Sequence, residues 1–358
     1  MTPPTFSKVF INQSKSSLTL RRNLSSVLEL QVRIVLTNNK KGLILNSILN
    51  HEINACLAEL NKIILGKPQQ VQLALTAILA NGHLLVEDLP GMGKTTLAHA
   101  LYKVLGLDYN RVQFTSDLLP SDLIGASVFN AQASTFSFHQ GPIFSSIFLA
   151  DELNRATPKA QSALLEAMEE GQVSVDGETY PLPKPFFVIA TQNPQSQSGT
   201  FPLPESQLDR FILRISLGYP DPSIEREILT GKKGRAALSD VKQIISKESL
   251  IQIQDYVEQI KVSDSLLDYV QRLIAQTRQD DLCHLGLSPR GAIALVKSAK
   301  CWALIQGRDH VLPEDVQAVF VAAVGHRLIG KSETQGDQLA RHILNRVDTV
   351  GNGVAAVA

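Results

Sequence analysis

The feature that most limits what this chain can fold into is Val86-Glu87-Asp88-Leu89-Pro90-Gly91-Met92-Gly93-Lys94-Thr95-Thr96-Leu97-Ala98, where an apolar strand-like run enters a glycine loop and leaves as a helix. Gly91 and Gly93 let the backbone curl so that its N–H groups and the N-terminus of the following helix face one point. Such a loop cradles phosphate. Lys94 can reach the β and γ phosphates and the Thr95 hydroxyl can coordinate Mg²⁺, with Pro90, Gly91, Met92, Gly93, Lys94, Thr95 and Thr96 forming the bed. The strict pattern would have glycine at position 88, where this chain has Asp88. An ordinary glycine turn is the alternative, and the flanking strand and helix argue against it.

A phosphate loop needs a parallel sheet behind it, and the chain supplies the pattern for one. From His51 to about Gly218, strand-like runs alternate with helical patterns: His83 to Glu87, Arg111 to Phe114, Ile147 to Asp151, Phe186 to Thr191 and Phe211 to Leu217. Beyond Gly218-Tyr219-Pro220 the pattern reads as helices to about residue 345, with no further strand signal. The expected fold is therefore α/β, an αβα core on a parallel sheet (48–218) followed by a smaller all-helical domain (219–335) and a C-terminal helix and tail (336–358). A length of 358 residues with 44% hydrophobic composition gives each domain enough for a core. Two hairpins interrupt the first domain: Val173 to Tyr180 alternates around the turn pair Asp176-Gly177, and Ala126 to Phe138 alternates around a polar middle. Residues 1–47 stand apart, rich in Ser, Asn, Lys and Arg with Glu29 as their one acid, and are expected to be a disordered or misassigned extension.

Chemistry gathers at the strand ends. Ile147-Phe148-Leu149-Ala150-Asp151-Glu152 closes an apolar strand with two carboxylates, at the edge where parallel sheets bind ligands. Beside a bound triphosphate, Asp151 would hold Mg²⁺ through water and Glu152 would act as general base on the attacking water. The next helix is signed by Thr157 as N-cap, Pro158 at N1 and Gly171 as stop, and its stripe Ala160, Leu164, Leu165 and Met168 is core. Arg155 in the turn before it is a secondary candidate, either a plain surface arginine, which is the commoner case, or a contact to a neighbour or a phosphate. Asn193, in Gln192-Asn193-Pro194, would either orient that water or simply form a turn before proline. Arg210 is either a surface charge beside Asp209 or a cation delivered to the γ-phosphate from outside the pocket. Ser288-Pro289-Arg290-Gly291 reads as a helix start, where a cation opposes the helix dipole and asks for an anion such as phosphate.

Bulk properties mostly exclude. Lys plus Arg and Asp plus Glu number 34 each, so no overall charge points to nucleic acid or an anionic membrane. Cys56, Cys283 and Cys301 form no CxxC pair and suggest neither zinc nor a disulfide framework, which fits a reducing cytoplasm. No apolar run approaches the ~18 residues that span a bilayer.

Taken together, the phosphate loop, LADELNRATPKAQSALLEAMEE, GETYPLPKPFFVIATQNP, LPESQLDRF and LSPRG resemble the MoxR family of AAA+ ATPases, over about residues 48–335. The resemblance implies an αβα core with a helical lid, assembled as a homo-oligomeric ring, usually hexameric, with ATP at subunit boundaries. It makes Lys94 and Thr95 Walker A, Asp151 and Glu152 Walker B, Asn193 sensor 1, Arg210 the arginine finger and Arg290 sensor 2. It also places Gly66, in Ile64-Leu65-Gly66-Lys67, beside adenine. The two hairpins resemble the family's helix-2 and pre-sensor-1 insertions. Whether Arg290 would serve its own subunit's nucleotide or a neighbour's stays open.

The function so implied is chaperone-like: ATP turnover moves core against lid and works on client proteins, in maturation or metal-cofactor insertion, with a von Willebrand factor A domain protein as a possible partner. A nucleic-acid motor is the competing class. It would want a basic or aromatic hairpin, and Val173 to Tyr180 carries Asp176 and Glu178 with no Lys or Arg. A scaffold that hydrolyses ATP slowly is the third.

Overall fold

The computed structural model describes residues 48–132, 134–193, 200–229, 240–331 and 334–350; the expectation for residues 1–47 and the position of Pro194 lie outside them. Five strands build one parallel sheet: β1 (His83–Glu87), β2 (Tyr109–Gln113), β5 (Ile147–Asp151), β8 (Phe187–Gln192) and β9 (Phe211–Ile215), in the order β2-β5-β8-β1-β9. Registers such as Leu84↔Ile189, Ile147↔Phe187 and Tyr109↔Ile147 run parallel throughout. All residues of β5 and β8 are buried, which is why these strands read as continuous apolar runs instead of alternating. β2 begins two residues earlier than its apolar signal predicted, because its N-terminal half is polar and pairs as the sheet edge.

On one face the helix Pro158–Glu170 packs Leu164, Leu165 and Met168 into a cluster with Leu85, Phe148, Val188 and Phe211. Thr157 caps it by accepting from the Ala160 amide, and Gly171, left-handed at φ 63°, ends it. The two predicted hairpins are present as antiparallel pairs, β3 (Gly125–Asn130) with β4 (Thr135–Gln140) and β6 (Gln172–Val175) with β7 (Glu178–Pro181).

After residue 240 the chain is helical, at Lys247–Gln259, Asp264–Gln279, Pro289–Ile305, Pro313–Val324 and Gly336–Arg346. Ser246, Ser263 and Ser288 cap three of these, each accepting from an amide three residues on. The expectation of no further strand is corrected here: β10 (Cys283–Leu285) pairs antiparallel with β11 (Ile329–Gly330). Segments of three and two residues are too short to leave a period-2 pattern, and distant pairing alone makes them strands.

Arg327, buried just after the helix Pro313–Val324, joins this helical part to the end of the sheet. Its guanidinium donates to the Asp209 carboxylate at 2.6 Å, to the Asp209, Phe211 and Ile212 carbonyls, and to the Ala323 carbonyl. Burial pushes its pKa down and Asp209 opposes that shift, so removing the carboxylate would strand a desolvated charge.

His83 locks the start of β1. The Val188 N–H donates to Nδ1 at 3.1 Å, which leaves the proton on Nε2 to meet the Met168 carbonyl at 3.1 Å. Burial pushes this imidazole down to about 4 from 6.5, so between those pH values the unfolded chain takes up a proton that the folded chain refuses. Stability present above pH 6.5 is lost as pH falls through that window. In urea titrations at stepped pH, wild type should fall more steeply than His83→Gln by up to about 1.4 kcal/mol per pH unit. Parallel curves would remove His83 from the acid response.

Candidate active site

Three adjacent strands deliver the site, because β5, β8 and β1 lie side by side and all end at the same edge. β1 ends in the glycine loop, where Gly91 (φ 84°) and Gly93 (φ 91°) hold left-handed backbone that an L side chain would strain. The helix Lys94–Leu105 follows directly, with its N-terminus in the cleft. Pro90, Gly91, Gly93, Lys94, Thr95 and Thr96 line that cleft of about 320 Å³ together with Arg111, Gln113, Asp151, Glu152 and Asn193. Phosphate-loop, acid-pair and amide residues far apart in sequence thus meet in one cavity. Met92 is spaced between the two glycines and is not on the wall.

Lys94 is buried, and its ammonium donates to the Asp88 carbonyl at 2.6 Å, the Asn193 Oδ1 at 2.9 Å and the Gln192 carbonyl at 3.3 Å. Burial holds its pKa below the ordinary lysine value, while Asp88, Asp151 and Glu152 pull the other way. An anion entering the cleft would further favour the charged form.

The acid pair is held from several sides. Thr191, at the end of β8, donates to Asp151 Oδ1 at 2.6 Å and accepts the Glu152 amide at 2.9 Å. Arg111 on β2 grips the other oxygen of Asp151 at 2.6 Å, and Gln113 donates to Glu152 Oε2 at 2.8 Å. Arg155 reaches the same Glu152 oxygen at 3.0 Å, and the Asn193 amide faces Oε1 at 3.4 Å. Glu152 itself is left-handed at φ 57°, a conformation costly for a non-glycine residue that turns the chain sharply off the strand. Asn193 therefore touches both Lys94 and Glu152, which a residue forming only a turn would not do.

Asp88 is more than a departure from a pattern. Its Oδ2 accepts the Leu217 and Gly218 amides, both at 2.7 Å, and Oδ1 accepts the Leu89 amide at 2.9 Å, so it ties the loop entrance to the chain leaving β9. Arg214 on β9 adds an ion pair to Glu87 at 2.8 Å and another to Asp337 of the last helix.

Arg210 and Arg290 lie elsewhere, yet together. Arg210 meets Glu169 Oε2 at 2.8 Å and Arg290 meets Oε1 of the same carboxylate at 3.1 Å. Ser288, the cap of the Arg290 helix, donates to Asp209 beside Arg210 at 3.0 Å, and Arg327 completes the cluster. Neither arginine lines the Lys94 cleft. Gly66 (φ 71°) is also off that wall; a Cβ there would come 3.0 Å from Ile224, and Lys67 beside it donates to the Tyr219 carbonyl at 2.6 Å. Arg111, Gln113 and Thr191 were missed as site residues because polar residues on strands carry no motif of their own. The signal available was their position at the ends of strands next to the acid pair.

Comparison with known proteins agrees with this layout. Residues 83–213 match the model of the ATPase family associated with various cellular activities (AAA), and residues 275–347 match the AAA lid domain. The Bacillus subtilis protein YeaC is 43% identical over 82% of this chain and 94% of its own length. Chaperone MoxR1 of Mycobacterium tuberculosis is 38% identical over 83% of this chain and 81% of its own. Protein MoxR of Paracoccus denitrificans is 32% identical over 76% and 86%. A crystal structure from Cytophaga hutchinsonii, described as that of a candidate ATPase, superposes with a TM-score of 0.79 at 37% identity, covering 86% of this chain and 98% of the other.

Thr191 holds both members of the acid pair through one buried hydroxyl. Thr191→Val leaves the Asp151 oxygen and the Glu152 amide without that partner and should cost about 1–3 kcal/mol in denaturant unfolding, while Thr191→Ser should recover most of it. A Thr191→Val variant as stable as wild type would show that these two hydrogen bonds contribute nothing to stability.

Proposed function

The chain belongs to the MoxR family of AAA+ ATPases, and from that premise we propose that it binds and hydrolyses ATP to drive chaperone-like remodelling of client proteins. The observation that most supports this is the convergence of Lys94, Asp151, Glu152 and Asn193 on one cleft while Arg210 and Arg290 share Glu169 outside it. One chain thus holds a pocket and, on a separate surface, a pair of cations suited to a second pocket.

In this reading the loop amides from Pro90 to Thr96 and the Lys94 ammonium hold the phosphates, and Gly66 belongs to the segment beside the base. The Thr95 hydroxyl and the Asp151 carboxylate line the same cleft and offer oxygen donors of the kind Mg²⁺ accepts alongside phosphates and water. Mg²⁺, when bound, neutralises charge developing on the phosphates. Glu152 takes the proton of the attacking water and Asn193, already within reach of it, orients that water. Arg111 shares Asp151 and limits how that carboxylate can turn.

Arg210 and Arg290 act on the neighbouring subunit's nucleotide in a homo-oligomeric ring, most simply a hexamer. The division of labour is a nucleotide-binding core (48–218) working against a helical lid (219–335). The client is a protein, reached through a von Willebrand factor A domain partner, in maturation or metal insertion. We place the activity in the cytoplasm, with three buried, unpaired cysteines in support. Among the described residues no helix is long and apolar enough to cross a membrane. The acid-bearing hairpin β6–β7 disfavours a nucleic-acid motor.

Glu152→Gln should bind ATP as wild type does and fail to turn it over, since an amide cannot accept the water's proton; unchanged phosphate release would rule Glu152 out as the base. Arg210→Ala should keep ATP binding and lose roughly 10³-fold in turnover. Mixed with Glu152→Gln subunits it should regain measurable hydrolysis, because some boundaries then join an intact Glu152 pocket to an intact Arg210. Labelled subunits first establish that mixed rings form. Confirmed mixed rings as inactive as both parents would reject the trans assignment.

A further inference from the structure

The hairpin β3–β4 displays aromatic side chains that the fold does not cover. Registers Ser127↔Phe138 and Phe129↔Phe136 put Ser127, Phe129, Phe136 and Phe138 on one face of the pleat. At the base of the hairpin this face is locked: Phe138 stacks on Tyr180 of β7, with ring centroids 4.0 Å apart, and meets Phe144 edge-on at 5.8 Å. Toward the tip it is open. Phe136 is 72% exposed and Phe129 is 53% exposed, their rings 5.2 Å apart, with Val128 beside them on the opposite face at 49%. Large apolar groups presented this way, rimmed by polar residues, mark interaction surfaces.

Between the two hairpins runs a groove of about 460 Å³, walled by Ser127, Phe136 and Phe138 on one side and by Val175, Asp176, Glu178 and Tyr180 on the other. Glu178 is fixed by the Tyr180 hydroxyl, which donates to it at 2.7 Å, and Asp176 sits in the turn at φ 53°. Neither hairpin, 125–140 or 172–181, contains a lysine or an arginine, so nothing on them neutralises these two acids.

We propose that this groove binds an extended client segment carrying an apolar side chain flanked by lysine or arginine, the apolar group against Phe136 and the neighbouring Phe129 ring at the groove's edge and the cation between Asp176, Glu178 and the aromatic faces. The charge of the groove selects this occupant: an acidic segment would meet two carboxylates that have no ion pair among the described residues, while a cation gains from both the carboxylates and the ring faces. The inference rests on the remodelling function proposed above and names the client chemistry for it.

The test uses the full-length protein with a non-hydrolysable ATP analogue and labelled peptides on a Gly-Ser background: Leu-Phe flanked by lysines, Leu-Phe flanked by glutamates, and Ser-Gln flanked by lysines. By fluorescence anisotropy the lysine-flanked Leu-Phe peptide should bind at least about tenfold more tightly than either control, a difference of ~1.4 kcal/mol. Phe129→Ser with Phe136→Ser should weaken it by about tenfold or more, and Asp176→Asn with Glu178→Gln should erase the preference for lysine over glutamate flanks while keeping Leu-Phe binding. Nucleotide affinity, measured on each variant, reports folding, because none of these side chains lines the Lys94 cleft. Equal binding of the glutamate-flanked peptide, unchanged binding by folded variants, or no saturable binding overturns the proposal. So does dissociation of the wild-type assembly by the two Phe→Ser changes, which would assign the aromatic tip to a second copy of this chain. Absence of ATP turnover in wild type would defeat the motor reading and leave the peptide result to be judged on its own.

Discussion

The buried ammonium of Lys94 is the interaction on which the site depends. A desolvated charge must be surrounded by oxygens or it destabilises the fold by several kcal/mol, and here the oxygens come from two strands, the Asp88 carbonyl after β1 and the Gln192 carbonyl and Asn193 side chain after β8. The glycine loop is thereby pinned to the neighbouring strand end. Asp88 pins it from the other side, accepting amides of the chain that leaves β9. The loop is held in its shape by contacts within the protein itself.

The acid pair follows the same logic. Thr191 sets the separation of Asp151 and Glu152 by hydrogen-bonding the carboxylate of one and the amide of the other. The left-handed backbone of Glu152 then swings its side chain out of the strand, toward Gln113, Arg155 and Asn193. Strain stored at a single residue is tolerable where neighbours over-determine the geometry, and here β2 and β8 on either side both contribute partners. Arrangements of this kind are assembled before substrate arrives, which lowers the reorganisation needed when charge develops.

The two arginines belong to a different surface with its own organising charge. Glu169, at the end of a helix whose apolar stripe packs under the sheet, collects Arg210 from before β9 and Arg290 from the helical domain. Arg327 and Asp209 weld the same region through buried hydrogen bonds. Motion of the helical part against the sheet would therefore shift Arg290 relative to Arg210 and Glu169, which stay with the sheet core.

Much of this was legible in the residues. The alternation of buried strands with helices, the glycine loop, the apolar strand ending in Asp151-Glu152, the Thr157-Pro158 helix start and the Asp176-Gly177 hairpin each follow from local rules: periodicity, glycine freedom, capping and turn chemistry act over a few neighbouring residues. What local rules cannot decide is which strand lies beside which. That order put Thr191 against Asp151, Arg111 across from it and Asn193 next to Lys94, made strands of Cys283–Leu285 and Ile329–Gly330, and gave Arg210 and Arg290 a common carboxylate. The sequence by itself determined the elements and the residue types at their ends, because those depend on short-range sterics and burial. Only the tertiary structure decided their partners, because contacts between residues tens to hundreds of positions apart arise from packing whole elements together.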